Sequence, residues 1–243
     1  MKMKSIENRW LELNAGHPAE WYDERSAWLA EFVTPERYAT LSEALGRRTR
    51  YMTVCMENTF HAQNASAVVR HCEAFGLQEI HAIEELCRFR PNLDIVRGTD
   101  KWIDMRRYRS TSEALAALRG EGYRIVATTP HLDGATPESF DVTRGPFVLL
   151  FGTEHAGISD ETVAQADEFV RIPMCGMVES LNVSASAAIL IYMLSARLRM
   201  SPVEWRLTPA ERSRILFRWL MESVKDSMKI LDRKFPTEAG GGL

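Results

Sequence analysis

The segment Ile172-Pro173-Met174-Cys175-Gly176-Met177-Val178-Glu179-Ser180-Leu181-Asn182-Val183-Ser184 joins an apolar strand end to a small-residue helix through a loop too polar for ordinary core. A loop of that kind is suited to hold a ligand by its backbone. Two more segments share its character, Asn64-Ala65-Ser66-Ala67-Val68-Val69-Arg70 and Leu149-Leu150-Phe151-Gly152-Thr153-Glu154-His155-Ala156-Gly157-Ile158-Ser159. Arg70 lies six residues after Asn64 on the first turns of a helix, so both can face one opening. A helix-surface arginine taken alone is usually solvated. Asn64 and Asn182 donate and accept at once, which fits them to a hydroxyl-rich substrate or to fixing a neighbouring loop. Glu154 can hold Arg70 or Asn64, or accept backbone N–H groups, and the sequence leaves both open. Ser180 can position a ligand or cap the helix that follows.

Other chemistries fail on spacing. No G-x-G-x-x-G turn is present, so a nucleotide would not be bound in the dinucleotide-fold manner. Gly152 to Gly157 has the spacing of a phosphate loop, but Ile158 stands where its lysine is needed. His61, His71, His131 and His155 have no spaced carboxylate partner that specifies a triad or a metal site, and only His155 borders one of the three segments. The cysteines Cys55, Cys72, Cys87 and Cys175 form no C-x-x-C pair. They predict neither zinc nor a disulfide framework, and are expected to be reduced and mostly buried.

The elements that must position these residues alternate between strand and helix. Tyr51–Met56 is a short β-prone run, Ala65–Phe75 has helical spacing and stops at Gly76, and Glu79–Ile83 is the next strand. A helix near Ser112–Arg119, strands at Tyr123–Thr128 and Pro146–Phe151, a helix near Asp160–Ala166, a strand at Glu168–Ile172 and a long helix from about Val183 to Arg199 follow. This alternation predicts a mainly parallel sheet with helices on both faces. The first 50 residues read as helical, with Trp10, Leu11 and Leu13 and then Trp28, Leu29 and Phe32 interrupted at His17-Pro18 and Thr34-Pro35. The tail from Pro209 reads as another amphipathic helix with Ile215, Leu216, Trp219 and Leu220 on one side, ending in Gly240-Gly241-Gly242. The division is a helical N-terminal extension over 1–50, a catalytic domain over 51–200 and a C-terminal helical extension over 201–243.

At 243 residues and 45% hydrophobic, the chain can bury a substantial core. The first residues are not followed by an apolar stretch, and no run approaches the roughly 18 apolar residues of a membrane span. A cytoplasmic location is therefore expected. The formal net charge of −3 argues mildly against a nucleic-acid partner, but local clusters override it. Arg47, Arg48 and Arg50 form one cluster; Arg88, Arg90, Arg97, Lys101, Arg106, Arg107 and Arg109 a second; Arg197, Arg199, Arg206, Arg212, Arg214 and Arg218 a third. Any one alone reads as a solvated face.

Taken together and in order, the three segments resemble the motif set of the SpoU, or TrmH-type, RNA ribose 2'-O-methyltransferases, from about Arg37 to about Arg199, and most closely the members that modify a tRNA guanosine. The resemblance implies the SPOUT fold, in which the C-terminal part of the chain makes a deep trefoil knot. It implies S-adenosylmethionine, held bent by three loops that map here to Thr128, to Gly152, Thr153 and Glu154, and to Ile172, Met174, Leu181 and Asn182. It also implies catalytic positions at Arg70, Asn64, Glu154, Ser180 and Asn182, a homodimer with sites near the subunit interface, and no metal. The matching arginine is assigned as general base in the family; since a guanidinium normally stays protonated, orienting the ribose-phosphate and stabilising a developing alkoxide is the preferred role. The expected substrate is tRNA, at guanosine 18 of the D-loop. The same reaction on rRNA or another tRNA ribose, and a non-catalytic RNA-binding protein of the same fold, are the alternatives. The segment Thr59–Gln63 lacks the proline common before the first-motif asparagine. The stretch before Glu36 is longer than in the family, yet too short for the separate RNA domain of the rRNA guanosine relatives, which favours tRNA.

Overall fold

Short apolar runs that are buried along their whole length become the strands of a parallel sheet, because helices must cover both of its faces. In the computed structural model, which describes residues 16–153 and 156–236, β1 (Met52–Glu57), β2 (Glu79–Ile83), β3 (Asp104–Tyr108), β4 (Arg124–Thr128), β5 (Phe147–Phe151) and β6 (Glu168–Val170) form one sheet in the order β3-β2-β1-β5-β4-β6. Every pairing is parallel, with Val54 level with Ile80 on one side and with Leu149 on the other. The helices of this unit are α3 (Ala62–Ala74), the short α4 (Leu93–Val96), α5 (Thr111–Gly120), α6 (Asp160–Gln165) and α7 (Val183–Met200).

The two-residue period of a strand sorts its side chains between the faces. Met52, Val54 and Met56 of β1 and Phe147, Leu149 and Phe151 of β5 pack with Val68 and Val69 of α3 and with Leu190, Ile191 and Leu194 of α7. The alternate residues Cys55, Val148 and Leu150 face Ala114, Leu115 and Leu118 of α5. Contrary to the sequence reading, one described helix, α7, is long and apolar enough by length and composition to cross a membrane, at a mean hydropathy of 1.3. Its Ala187, Leu190, Ile191, Leu194 and Leu198 are nevertheless buried in this core.

The chain divides into two compact units, 47–206 and a second made of 1–46 together with 207–243. The two ends, separate extensions by sequence, thus belong to one unit. In it α1 (Ala19–Ala30), α2 (Pro35–Gly46), α8 (Pro209–Ser223) and α9 (Ser227–Lys234) bury Tyr22, Leu29, Leu41, Leu45, Phe217, Trp219 and Leu231. Trp21 and Tyr22 pack on Phe217 with ring centroids 5.5 and 5.6 Å away. The α8 start is a capping box, Thr208 and Glu211 each bonding the other's backbone N–H with Pro209 in the first turn. Trp10, Leu11, Leu13 and the glycines of the tail lie outside the described residues.

Four sequence expectations change. β3 is a strand where the sequence shows only a basic cluster. The last strand stops at Val170 rather than Ile172, and on its outer edge Ala135 bridges Val170, the Arg171 N–H donating to the Ala135 carbonyl at 2.9 Å. A short second C-terminal helix, α9, follows α8. All four cysteines are free thiols, but only Cys55 and Cys72 are buried, Cys87 being half-buried and Cys175 exposed.

His81 of β2 makes a prediction of its own. It is fully buried, with Nδ1 3.0 Å from the Tyr108 hydroxyl and Nε2 3.8 Å from a Glu79 carboxylate oxygen. Burial, helped by the charges of Arg106 and Arg50, pushes its pKa down to about 3. The native imidazole therefore stays neutral while the unfolded one, with a pKa near 6.5, takes up a proton. Stability from this group is complete above about pH 6.5 and falls by up to about 1.4 kcal/mol per pH unit as the pH drops toward 3. Urea unfolding between pH 7 and 4 should show that slope in the wild type and a flatter one in His81→Asn, itself less stable at pH 7. Parallel curves would remove His81 from the account.

Candidate active site

The carboxyl ends of β4, β5 and β6 open onto a cavity of about 430 Å³, the edge at which α/β sheets receive ligands. Its wall brings together Thr128, Gly152, Thr153, Ile172, Met174, Ser180, Leu181 and Asn182 from segments far apart in sequence. Glu154 and His155 lie outside the described residues. The volume falls within the range of small-molecule sites, and the wall mixes apolar Ile172, Met174, Leu181 and Leu190 with hydroxyls and loop backbone. That combination fits a ligand with both a flat apolar ring and a polar chain, as S-adenosylmethionine has.

Local chemistry explains the wall. Thr153 and Gly157 exchange backbone hydrogen bonds of 2.8 and 3.2 Å, closing a tight turn in which Gly157 has φ +71°. A Cβ on Gly152 would stand 2.1 Å from the Gly157 backbone, so Gly152 answers first to its own loop. On the opposite wall Asn182 is the N-cap of α7. Its Oδ1 accepts from the N–H groups of Ser184 at 2.8 Å and Ala185 at 3.3 Å, so Ser180 is left exposed and is not the cap.

The same Asn182 side chain donates through Nδ2 to Oδ1 of the buried Asn64, 3.2 Å away. This one bond brings the first segment to the third and sets the N-terminal turns of α3 and α7 side by side, where helix dipoles favour negative charge. Arg70, two turns along α3, is exposed and donates to the Ile95 carbonyl at 2.8 Å. It does not line the cavity.

Three residues escape the sequence reading. His131, which has no partner by spacing, lines the cavity with Arg171. Their signal is position, since each follows a strand end closely. Glu57, at the end of β1, is a buried carboxylate that accepts from the Thr111 hydroxyl at 2.8 Å and the Ser159 hydroxyl at 2.6 Å, among others. As the residue that closes an apolar run, it gives no signal in the sequence. Among the described residues no group of three or more His, Cys, Asp or Glu side chains is placed to hold a metal ion.

Fold and site define a parallel α/β protein with a small-molecule cavity at the carboxyl ends of its strands. The sequence profile of the SpoU rRNA Methylase family matches residues 51–192, and the chain belongs to this family. It is 35% identical over 198 residues to the tRNA (guanosine(18)-2'-O)-methyltransferase of Borreliella burgdorferi, covering 82% of this chain and 90% of that one. It is 36% identical over 189 residues to the enzyme of the same name from Escherichia coli K12, with coverage of 76% and 82%. Among solved structures it is similar to the TrmH/SpoU tRNA modifying enzyme of Aquifex aeolicus, at a TM-score of 0.68 and 31% identity over 78% of this chain and 98% of that one. It is also similar to an AdoMet-bound rRNA methyltransferase from Sinorhizobium meliloti, at a TM-score of 0.54 and 25% identity, covering 65% of this chain and 60% of that one.

Proposed function

We propose that this protein is a cytoplasmic enzyme that methylates a ribose 2'-hydroxyl of tRNA, at guanosine 18 of the D-loop, with S-adenosylmethionine as methyl donor. The observation that carries the reading is the hydrogen bond from the cavity-lining Asn182 to Asn64, which joins the segments read as cofactor loop and substrate helix. The names of its relatives point to the same target.

Thr128, Gly152, Thr153, Ile172, Met174, Leu181 and Asn182 would hold the donor, with Glu154 in the same loop. When bound, it supplies a sulfonium methyl that is already an activated electrophile. Asn64 and Asn182 fix the ribose hydroxyl at the cavity mouth, converting a bimolecular encounter into a positioned one. Ser180, exposed on the loop, positions ribose or donor. Arg70 orients the ribose-phosphate and stabilises the 2'-oxygen as it loses its proton. His131, on the cavity wall, is a candidate carrier of that proton.

The reading extends to a C-terminal trefoil knot formed around the Ile172–Asn182 loop, to a catalytic domain over 51–200 flanked by extensions over 1–50 and 201–243, and to a homodimer. Exposed Met177, Val178 and Tyr192, on the loop and helix that follow β6, support a partner surface there.

Labelled methyl from S-adenosylmethionine should pass to unmodified tRNA, and neither to the same tRNA already 2'-O-methylated at guanosine 18 nor to rRNA. Label on both tRNAs or on rRNA moves the target. No transfer to any of them ends the enzymatic reading in favour of RNA binding alone.

A further inference from the structure

Six of the arginines that the sequence gathers into basic clusters are held by other groups of the protein. Arg48 is buried against Glu73 at 2.8 Å, and Arg50 pairs with Asp104. Arg197 donates to the Pro137 carbonyl at 2.6 Å, and Arg199 to that of Phe75 at 2.6 Å. In the second cluster Arg106 is held by Glu121 at 2.5 Å, while Arg107 is held by Glu84 and by the Phe89 carbonyl, the latter at 2.7 Å. The guanidinium groups of Arg88, Arg90 and Arg109 differ: all three are exposed, and none has a hydrogen bond or ion pair to a described residue.

These three are not scattered. With Arg107 they line an open groove of about 850 Å³ beside the edge strand β3, whose acidic residues are Glu84, already paired with Arg107, and Asp100. The groove lining is net positive. Val96 also lines it, and its neighbour Ile95 offers the carbonyl that receives Arg70. Asn92, on the same connection, donates its N–H to Ser66 of α3 at 2.7 Å. Along helix α3, Asn64, bonded to the cavity-lining Asn182, and Arg70, bonded to the neighbour of the groove-lining Val96, are separated by about 9 Å at 1.5 Å per residue.

An open groove lined by three unpaired guanidinium groups carries self-repulsion that anions relieve, and several separate cationic groups suit a chain of phosphates better than a single ion. We propose that this groove holds the tRNA phosphate backbone next to the target nucleotide, with Arg88, Arg90 and Arg109 as phosphate ligands and Arg70 at the junction between backbone track and cavity. The proposal rests on the tRNA methyltransferase reading and places a grip on RNA within the methyltransferase core itself, in addition to any made by the terminal helices.

The test compares wild type, Arg88→Ala/Arg90→Ala, each single variant and, as a control for the loss of one positive charge outside the groove, Arg144→Ala, whose guanidinium pairs with Glu168. Unmodified tRNA is the probe in a filter-binding titration over salt concentration, followed by methyl transfer. The double variant should bind tRNA on the order of tenfold more weakly, with the slope of log K against log salt shallower by about two. Its KM for tRNA should rise with a smaller change in kcat, and Arg144→Ala should match wild type. Unchanged affinity and slope in the double variant, beside a wild type that methylates tRNA, would overturn the groove and leave the enzymatic reading standing. A wild type that neither binds nor methylates tRNA would overturn both.

Discussion

Arg70→Ala should lower methyl transfer to tRNA on the order of a hundredfold to a thousandfold, the usual cost of removing a donor aimed at developing negative charge. Its binding of S-adenosylmethionine should stay within about twofold of wild type, since a group that acts on the acceptor contributes little to donor affinity. The side chain is exposed, makes one hydrogen bond, to the Ile95 carbonyl, and stands off the cavity wall. Fold stability should change by less than about 0.5 kcal/mol for the same reason. Arg70→Lys keeps the charge and loses the planar fork, so it should recover only part of the rate. Single-turnover transfer with both substrates saturating, set beside calorimetric titration of the donor, separates the two effects. Undiminished transfer in Arg70→Ala would remove this residue from the chemistry while leaving the family intact.

The fold was legible where burial is complete. Phe147–Phe151 sits between two helix layers and so reads as an unbroken apolar strand, and Met52–Glu57, buried throughout, reads as a mostly apolar one. β3 was illegible for the converse reason. Asp104-Met105-Arg106-Arg107-Tyr108 lies at the sheet edge, where charged side chains are tolerated and even useful against edge pairing, and its arginines find Glu121 and Glu84 only through the tertiary fold. The pairing of the two chain ends into one unit is likewise long-range. Local pattern gives α1 and α8 as helices but cannot say that Trp21 and Tyr22 meet Phe217.

At the site the loop segments were legible because small and polar residues at strand ends add little to a core and serve instead to make turns and bind ligands. What stayed hidden was which residues meet. The Asn64–Asn182 contact spans 118 positions, and nothing local at either asparagine specifies it. Gly152 looked like a place for a ligand to approach the backbone, whereas its missing side chain is demanded first by the Gly157 backbone.

Glu57→Ala should be among the most damaging substitutions in the core, at about 3–5 kcal/mol. The carboxylate is 1% exposed. One oxygen accepts from the hydroxyls of Thr111, Ser159 and Thr162 at 2.8, 2.6 and 3.3 Å, the other from the Ser159 N–H at 3.0 Å and the Thr162 hydroxyl at 3.3 Å. Alanine would strand these buried donors and leave a cavity. Glutamine tells a different story. With its carbonyl oxygen toward the Ser159 N–H, its amide nitrogen faces only hydroxyls, each able to rotate and accept, so Glu57→Gln should cost about 1 kcal/mol. The consequence reaches the site, because Ser159 caps α6 immediately after the Gly157-Ile158 wall of the cavity. Under conditions where both variants remain folded, Glu57→Ala should bind S-adenosylmethionine more weakly than Glu57→Gln, with a rise in KM for the donor larger than any loss in kcat. Denaturant unfolding gives the stability order and donor titration the affinity order. Two variants equally unstable would mean that the charge, rather than the hydrogen-bond geometry, holds the loop.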